Sequence, residues 1–232
     1  MTGSYVKRLL TRYHFWLVRL SKLRSRQGLY EFLEREYAAI PRGASVLAVG
    51  AGGEVNQLLA RFSSANELDV ISIDIDPARG PEIVGDVCKL PLLANAFDVV
   101  VLSEVLEHLH SPAEGLRDLH GTLKHGGRLI LTVPFILPMH DRPHDYFRFT
   151  VNGLELLLSD FREVDISARD SYFEAIDVLW VRLLQADRRA ARFLAFFVVP
   201  IVFFLKRPIT LLLTRCCATD AMTTGYVVTA VK

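Results

Sequence analysis

The feature that most constrains the fold is an alternation of short apolar strands with helices between residues 45 and 168. Within it, Phe97–Leu102 (FDVVVL) is a nearly continuous apolar run, which is typical of a strand in the middle of a parallel sheet. Strand–helix–strand units of this kind are right-handed and place helices on both faces of the sheet. The alternation therefore predicts an α/β fold built around a mostly parallel sheet.

The individual elements follow from hydrophobic periodicity and from the positions of glycine and proline. The predicted strands are Ser45–Val49, Leu68–Ile73, Glu82–Val84, Phe97–Leu102, Arg128–Val133, Val164–Ala168 and a last strand, Gly225–Val231. The predicted helices between them are Glu54–Phe62, Pro112–Leu123 and Thr150–Ser159. About fifty residues separate the sixth predicted strand from the last one, and a structureless loop of that length is rare in a compact domain. We therefore predict a helical insertion at about residues 171–222.

The N-terminal region has a different pattern. Apolar residues recur at helical spacing from Val6 to Leu23, and basic residues occupy much of the opposite face. A second helix is predicted over Tyr30–Ala39, because it must end before Pro41. The sequence thus divides into N-terminal basic amphipathic helices, residues 1–40, and a domain of residues 41–232 that contains the insertion.

The charges are distributed unevenly along the chain. The formal net charge is +1, which argues against bulk electrostatic binding to nucleic acid. Residues 1–28 nevertheless hold seven basic side chains and no acidic one, whereas the remaining residues carry 20 basic and 26 acidic side chains. A basic arm of this kind indicates either a local anionic partner or a solvated helix face.

Three features that follow successive strands indicate a nucleotide-like ligand. The segment SVLAVGAGGEVN runs from a strand into a glycine loop, where Gly50 and Gly52 allow a ligand to approach the backbone closely. Asp74 ends the second strand, where a carboxylate can accept hydrogen bonds from both ribose hydroxyls. Asp86 follows the third strand and is placed for the amino group of an adenine. Val55 stands where dinucleotide-binding loops have a third glycine, so the pattern does not favour a dinucleotide.

Taken in order, these segments resemble those of the class I S-adenosylmethionine-dependent methyltransferases. The matching segments are VLAVGAGGE, ISIDIDP, GDVCKLPL, FDVVVLSEVLEHL and LKHGGRLILTVPF, which together cover roughly Ser45–Phe135. The resemblance implies a Rossmann-like sheet of seven strands, of which the last is antiparallel, and S-adenosylmethionine as the cofactor. The residues that would hold it are Gly50 and Gly52 at the methionine portion, Asp74 at the ribose, Asp86 and Val87 at the adenine, and Ser103 and Glu104 beside the transferred methyl group.

One position departs from the family pattern. Ala48 stands where the family usually has Asp or Glu, an acid that helps to position the methionine end of the cofactor. Glu54 or a water molecule would have to take over this role. We expect the substitution Ala48→Asp to be tolerated and to tighten cofactor binding. The alternative is that the chain kept the fold and lost the cofactor.

Candidate acceptor-side residues follow the fourth and fifth strands, whose carboxyl ends lie where open α/β sheets bind ligands. Removal of a proton from an acceptor hydroxyl requires a base, and histidine is the usual one near neutral pH. The candidates are His108 in EHLHSP and His140, His144 and Asp145 in PFILPMHDRPHDYFRFT, with Asp145 orienting a histidine and Arg142 or Arg148 binding an anion. A metal site built from His140, Asp141, His144 and Asp145 is not expected, because displacement at a sulfonium needs no Lewis acid.

The second of these segments also resembles, through H-x-x-P-H-D-Y-x-R-F-T, a subgroup of these methyltransferases associated with bacterial surface-polysaccharide biosynthesis. We therefore expect an O-methyltransferase that acts on a glycan or on a lipid-linked glycan precursor. The alternatives are methylation of a small lipid-like molecule such as a quinone, which SEVLEHL equally permits, and a non-catalytic module. The three cysteines fit neither a disulfide framework nor a metal-ligand spacing, so a cytoplasmic location is expected.

Two segments, residues 1–28 and 190–213, favour peripheral contact with the cytoplasmic membrane. The first combines an apolar stripe that contains Trp16 with a basic face, which is typical of a helix that lies in a membrane interface. The second contains the apolar run Phe193–Leu205, which is shorter than the roughly 20 residues that span a bilayer and is interrupted by Pro200. The alternative is that these helices pack on each other as a lid over the acceptor site.

Overall fold

The computed structural model describes residues 2–89, 93–141, 143–217, 219 and 221–232, and the side chains of residues 2–7 and 10 lie outside this description. The chain folds into two compact units. The sheet unit comprises Leu29–Phe135, Met139–Ala168 and Gly225–Lys232. The helical unit comprises Met1–Gly28, Ile136–Pro138 and Arg169–Thr224. The sequence predicts a boundary between two parts of the chain at residue 40. The structure instead groups the first predicted helix with the insertion, although the two are distant in sequence.

Regular secondary structure accounts for most of the described chain. The helices are α1 (Thr2–Ser25), α2 (Gln27–Ala38), α3 (Gly53–Asn66), α4 (Pro112–Thr122), α5 (Val151–Leu157), α6 (Tyr172–Arg182), α7 (Arg189–Pro200) and α8 (Arg207–Cys216). The strands are β1 (Ser45–Val49), β2 (Asp69–Asp74), β3 (Ile83–Val84), β4 (Phe97–Ser103), β5 (Leu123–Pro134), β6 (Arg162–Ala168) and β7 (Gly225–Val231). β1 and β7 have the predicted bounds, and the other predicted elements are present with shifted ends.

Across the described residues, seven strands form one mixed sheet in the order β3-β2-β1-β4-β5-β7-β6. β1 to β5 pair in parallel, whereas β7 is antiparallel to both β5 and β6. The predicted Rossmann-like sheet with an antiparallel last strand is therefore confirmed. The parallel strands end at a common edge, from which the glycine loop and both predicted acceptor segments continue.

Alternate residues of β1 enter two buried clusters. Val46 and Ala48 share one cluster with apolar residues of α2 and α3. Leu47 and Val49 share the other with apolar residues of α4 and α5. Helices thus cover both faces of the sheet, as the strand–helix alternation predicts.

β5 begins earlier than the predicted Arg128. Leu123 already pairs with Phe97 at the start of β4, and the register then shifts before Val99 pairs with Arg128. Gly126 lies in this irregular stretch with a φ of +77°, a conformation that favours glycine. The residues that follow the predicted helix Pro112–Leu123 therefore belong to an irregular start of β5.

A buried apolar cluster holds the helical unit together. Leu17 and Leu20 of α1 belong to it together with Val181 of α6 and with Ala195 and Val199 of α7. The two segments predicted to contact a membrane therefore pack against each other within one folded unit.

Asp177 on α6 is fully buried and links three helices of this unit. Its Oδ2 atom accepts a hydrogen bond from Thr210 Oγ1 at 2.8 Å and lies 3.8 Å from the guanidinium of Arg24, while its Oδ1 atom pairs with Lys206. Arg24 also lies 3.3 Å from Glu174. The sequence groups Arg24 with a basic arm that could bind an anionic partner. In the structure its guanidinium instead pairs with acidic residues inside the helical unit.

α7 and α8 are joined into one continuous helix of 28 residues, Arg189–Cys216. Pro200 has no N–H to donate, and the helix continues beyond it through a π-helical segment, Ile201–Lys206. The prediction that Pro200 interrupts the apolar run is therefore wrong. By length and composition the helix could cross a membrane, and 17% of its most apolar window is buried.

Candidate active site

The glycine loop after β1 is shaped by Gly50. Its φ is +90°, and a Cβ atom there would lie 2.5 Å from Cγ2 of Val105, so only glycine fits without a shift. The Gly50 N–H donates to the carbonyl of Ile73 at 2.7 Å, which holds the loop against β2. Gly53, at φ +83°, also requires glycine, whereas Gly52 has a φ of −89° and caps α3. Sequence reasoning named Gly52 and missed Gly53.

Asp74, at the end of β2, is buried and faces this loop. Its Oδ2 atom accepts a hydrogen bond from the Ala51 N–H at 2.7 Å, and its Oδ1 atom accepts one from the Asp76 N–H at 2.9 Å. Each carboxylate oxygen has two lone pairs, so the group can still accept from ribose hydroxyls. Arg79, which the sequence did not single out, places its guanidinium 3.4 Å from Asp74 and 3.9 Å from Asp141.

One cavity of about 670 Å³ lies at this edge of the sheet. Of the predicted cofactor residues, those that line it are Gly50, Asp74, Asp86, Val87 and Glu104. Of the predicted acceptor-side residues, those that line it are His108 and His144. The described residues lining the cavity do not include Gly52, Ser103, His140 or Asp145. The structure thus brings residues from both predicted halves of the site to a shared space.

Asp86 is held by two donors beside the cavity. The Cys88 N–H donates to Oδ1 at 3.1 Å, and the Lys89 ammonium lies 3.2 Å from Oδ2. Burial raises the pKa of Asp86, but the hydrogen bonds and charge of these donors have the larger combined effect, so the pKa is lowered. The carboxylate is therefore charged near neutral pH and can accept a hydrogen bond from an amino group.

The two residues at the end of β4 differ in orientation. The Ser103 hydroxyl is buried and shares a 2.7 Å hydrogen bond with the hydroxyl of Thr132 on β5, so it is engaged within the sheet. Glu104 lines the cavity and has a φ of +54°, a strained conformation for a residue with a side chain. The Thr132 hydroxyl also lies 3.2 Å from Oε1 of Glu104 and steadies it.

Ala48 does not face the cavity. Its side chain is 2% exposed and belongs to the apolar cluster shared with Leu33 of α2 and Leu59 of α3. Glu54, the suggested substitute for the missing acid, accepts a 2.6 Å hydrogen bond from the Tyr30 hydroxyl, and it is not among the described residues that line the cavity. The packing of Ala48 argues against the expectation that an acid at position 48 would tighten cofactor binding, because that carboxylate would enter the core.

A polar chain of three rings borders the cavity on its acceptor side. Nδ1 of His144 lies 2.8 Å from the Tyr146 hydroxyl, which in turn lies 3.2 Å from Nε2 of His110. The His144 carbonyl accepts a 2.6 Å hydrogen bond from Nδ1 of His108. The histidines that follow β4 and β5 therefore meet, as the sequence predicts.

Asp145 lies against a histidine, His140, and also pairs with Arg148. It accepts two hydrogen bonds from Arg148, at 2.5 and 2.8 Å, and one from the backbone N–H of His140 at 3.0 Å. The Arg148 guanidinium lowers the pKa of Asp145 to about 2. Asp145 thus braces His140, and Arg148 is engaged by Asp145 instead of binding an external anion. Arg142, the other predicted anion-binding residue, lies outside the described residues.

Glu107 lies in the candidate segment EHLHSP, although sequence reasoning assigned it no specific role. Its side chain is fully buried, and burial raises its pKa. Its Oε1 atom lies 3.5 Å from Nε2 of His140 and 3.6 Å from Nε2 of His108. The nearby carboxylate of Glu107 raises the pKa of His140. Nothing in the local pattern distinguishes this glutamate from an exposed one, because its burial depends on the loop that follows β5.

Comparison with known proteins gives the class of the domain. Residues 47–131 match the methyltransferase domain family. The chain is 32% identical over 97 residues to the uncharacterized protein YafE of Escherichia coli (strain K12), across 40% of this chain and 46% of that protein. It is 27% identical over 162 residues to the ubiquinone biosynthesis O-methyltransferase of Pseudomonas paraeruginosa (strain DSM 24068 / PA7), across 59% of this chain and 67% of that protein. The chain thus spans about half of the first relative's length and about two thirds of the second's.

Solved structures share the fold at low identity. The cyclase SpnF has a TM-score of 0.56 at 17% identity, covering 90% of this chain and 81% of that one. A SAM-dependent methyltransferase from Archaeoglobus fulgidus has a TM-score of 0.56 at 16% identity, covering 92% of this chain and 94% of that one. The comparisons therefore identify residues 47–131 as a methyltransferase domain, and they support the predicted S-adenosylmethionine-dependent methyltransferase activity with S-adenosylmethionine as cofactor.

Proposed function

We propose that the protein transfers the methyl group of S-adenosylmethionine to a hydroxyl oxygen of a glycan or of a lipid-linked glycan precursor. The observation that carries this proposal is the single cavity lined by Asp74, Asp86 and Glu104 on one side and by His108 and His144 on the other. Displacement at a sulfonium requires the acceptor oxygen a few ångströms from the methyl carbon and a base for its proton. A shared cavity meets both requirements.

His144 is the proposed base. It lines the cavity, and its hydrogen bond with the Tyr146 hydroxyl sets the orientation of the ring. His108 lines the same cavity, but its Nδ1 atom is bonded to the His144 carbonyl and its Nε2 atom lies toward the buried Glu107. His108 is therefore better placed to support this region than to meet the acceptor directly.

The loop that follows β5 supports a sugar as acceptor. Tyr146 and Phe147 are more than one-third exposed beside the ionisable groups His144 and Asp141. Aromatic faces pack on the apolar faces of a sugar ring, and polar groups bind its hydroxyls. The motif of this loop also resembles the subgroup associated with surface polysaccharides, which points to the same acceptor class.

A quinone precursor is the second candidate acceptor. The relative from Pseudomonas paraeruginosa is named as a ubiquinone biosynthesis O-methyltransferase, and its match covers 59% of this chain. An aromatic hydroxyl would need the same base and the same cofactor geometry. The two candidates differ in the chemistry of the acceptor and not in that of the transfer.

Transfer of a labelled methyl group to fractionated bacterial extracts tests the proposal. We expect label in the glycan or lipid-linked glycan fraction, and none there with the His144→Ala protein. Label confined to the quinone-containing lipid fraction would favour the second candidate. Label in protein alone, or in no fraction although the cofactor binds, would contradict both.

The helical unit is the part that meets an anionic membrane surface in this proposal. The long helix Arg189–Cys216 exposes Phe197, Phe204 and Leu205 by 54%, 60% and 72%. Trp16 of α1 stacks on Phe204 with ring centroids 5.9 Å apart, so the two segments share one apolar surface. Basic side chains that could meet anionic headgroups are exposed on the same segments, namely Arg12, Arg19, Arg188, Arg189, Arg192 and Arg215.

The packing of this helix favours lying in the interface over crossing the bilayer. Lys206, near its middle, pairs with the buried Asp177, and Val199 and Val202 pack in the core of the unit. A helix that is packed along one face and apolar along the other inserts that free face into a headgroup region. Such placement suits an acceptor that is itself carried on a lipid.

Co-sedimentation with vesicles of anionic phospholipid tests the membrane contact. At low salt we expect the full-length protein in the pellet, with partial release at high salt. The double substitution Phe204→Ser and Leu205→Ser should shift the protein to the supernatant, whereas Leu156→Ser, at a 76% exposed leucine on α5, should not. A native protein that stays in the supernatant at low salt would refute the membrane contact.

A further inference from the structure

Glu107 presents an unusual combination of burial and charge. Its side chain is 0% exposed, and no described residue donates a hydrogen bond to either carboxylate oxygen. A buried carboxylate without such donors is costly unless a cation or a proton compensates it. The backbone carbonyl of the same residue accepts hydrogen bonds from the N–H groups of Tyr146 and Phe147, so the loop after β5 fixes its position. The side chain is thus held in place and still has its acceptor capacity.

Two imidazoles face the same carboxylate oxygen. Nε2 of His140 lies 3.5 Å and Nε2 of His108 lies 3.6 Å from Oε1 of Glu107, and the ligand atoms of the three residues all lie within 4.8 Å of one another. Neither distance is that of a good hydrogen bond. Ligand atoms bound tetrahedrally to an ion at about 2.1 Å are about 3.4 Å apart. The two distances to Oε1 of Glu107 are therefore close to those between ligands of one metal ion.

Neighbouring groups orient both imidazoles for such a role. The His108 Nδ1 atom is 2.6 Å from the His144 carbonyl, which can only accept, so Nδ1 carries a hydrogen and Nε2 is the nitrogen near Glu107. Nδ1 of His140 lies 3.5 Å from the Asp145 carboxylate, which Arg148 holds through two hydrogen bonds. A carboxylate or a carbonyl behind each histidine is the usual support of metal-binding imidazoles.

We propose that Glu107, His108 and His140 form a binding site for one divalent transition-metal ion. Two imidazoles and one carboxylate suit Zn²⁺ or Mn²⁺ better than Mg²⁺, which prefers oxygen ligands alone. Three protein ligands leave at least one coordination position open, as in catalytic metal sites. His108 also lines the cofactor cavity, so the proposed metal site adjoins that space.

The role of the ion rests on the proposed function. An acceptor hydroxyl bound at the open position loses its proton more readily, because the cation stabilises the resulting alkoxide. The proton passes to His144, the alkoxide oxygen forms a bond to the methyl carbon, and the carbon–sulfur bond breaks with its electron pair left on sulfur. The products are the methyl ether and S-adenosylhomocysteine, and no oxidant or reductant is consumed. This proposal departs from the sequence-based expectation that no metal takes part, although the sulfonium itself needs no metal.

Metal titration of the full-length, chelator-treated protein tests the site without any acceptor. We expect calorimetry with Zn²⁺, and electron paramagnetic resonance with Mn²⁺, to show one site per chain. Glu107→Gln and His140→Ala should each weaken binding at least tenfold. Glu114→Gln and His125→Ala, which change an exposed glutamate and an exposed histidine elsewhere in the sheet unit, should leave it unchanged.

Measurements on the native protein test the site even if a variant fails to fold. In the native protein, modulation of the Mn²⁺ spin echo by nitrogen nuclei should report imidazole ligation, and bound ion should raise the melting temperature. Absence of saturable binding to the native protein, or binding that Glu107→Gln and His140→Ala leave intact, would overturn the site. Metal binding without methyl transfer would leave the site standing and remove only the proposed function.

Discussion

The backbone N–H of Ala51 donates a 2.7 Å hydrogen bond to Oδ2 of Asp74. One carboxylate therefore fixes the conformation of the glycine loop and also presents its remaining lone pairs to the cavity. The loop predicted to hold the methionine end of the cofactor and the acid predicted to hold its ribose are coupled through this bond. A change at Asp74 should consequently affect both ends.

We predict that Asp74→Ala weakens the binding of S-adenosylmethionine roughly tenfold to hundredfold. The two ribose hydroxyls lose a charge-assisted acceptor worth about 1.5–3 kcal/mol in total, and the loop loses its anchor. Isothermal calorimetry measures the dissociation constant, and Asp69→Ala, an exposed acid at the other end of β2, is the matched control. An unchanged constant would remove Asp74 from the site. If the native protein bound no cofactor, the non-catalytic alternative would be favoured.

Ala48→Asp should destabilise the protein. The side chain at this position is 2% exposed within an apolar cluster, so the new carboxylate would be buried without a partner or would have to take up a proton. Urea denaturation should show a loss of several kcal/mol. Ala60→Asp, at an exposed position of α3, should cost far less. Equal stability of the two variants would show that the chain can turn an acid at position 48 toward the cavity.

His144→Ala should lower turnover by about 10²–10⁴, the usual contribution of a positioned base, and leave cofactor affinity nearly unchanged. The measurement is the rate of labelled methyl transfer to the acceptor fraction, with His125→Ala as an exposed histidine control. Near-normal turnover would show that His144 is not the base, and that His108 or solvent accepts the proton. A parallel loss of cofactor affinity would show that His144 supports the cavity wall instead.

The pH dependence of stability should include a contribution from Asp98. Its Oδ2 atom accepts hydrogen bonds from Lys124 at 2.8 Å and from both the backbone and the hydroxyl of Ser45, and these contacts lower its pKa to about 2. Because the folded pKa lies below the unfolded value of about 3.9, the stabilisation is complete above that value and is lost as the pH falls toward 2.

Asp98→Asn should therefore be less stable than the native protein at pH 7, and the difference should shrink between about pH 4 and pH 2. Denaturant unfolding at a series of pH values measures it. Asp118→Asn, at an exposed acid on α4, is the control. A stability difference that stays constant down to pH 2 would show that the contacts around Asp98 contribute nothing through its charge.

The sheet was predictable because its evidence is local. The apolar runs of β1 and β4, the glycines after β1 and the acids after β2 and β3 each lie within a few residues of the element that they define, and strand handedness supplies the order. The cofactor side of the candidate site follows directly, since strand ends of a parallel sheet share one edge. Gly52 and Ser103 show the limit of this reasoning, because the sequence does not tell which residues of a loop or strand end face the ligand.

The acceptor side was less predictable because its contacts are distant in sequence. The sequence predicts that Asp145 orients a histidine, but it does not tell that this histidine is His140 or that Arg148 pairs with the same carboxylate. Burial of Glu107 depends on a loop that begins some thirty residues later, and that dependence is invisible in the segment EHLHSP. The shared core of α1 and α7 joins residues about 180 positions apart, which periodicity cannot report.

The helical unit is assembled from both ends of the chain, and this has a consequence during biosynthesis. α1 leaves the ribosome about 150 residues before α6, which corresponds to roughly 8–30 s at ordinary rates of elongation. Throughout that interval Leu17 and Leu20 have none of the partners that α6 and α7 provide in the finished unit. A nascent chain, or one truncated before Ala195, would therefore carry an uncovered apolar helix face, and would be a substrate for chaperones until synthesis nears its end.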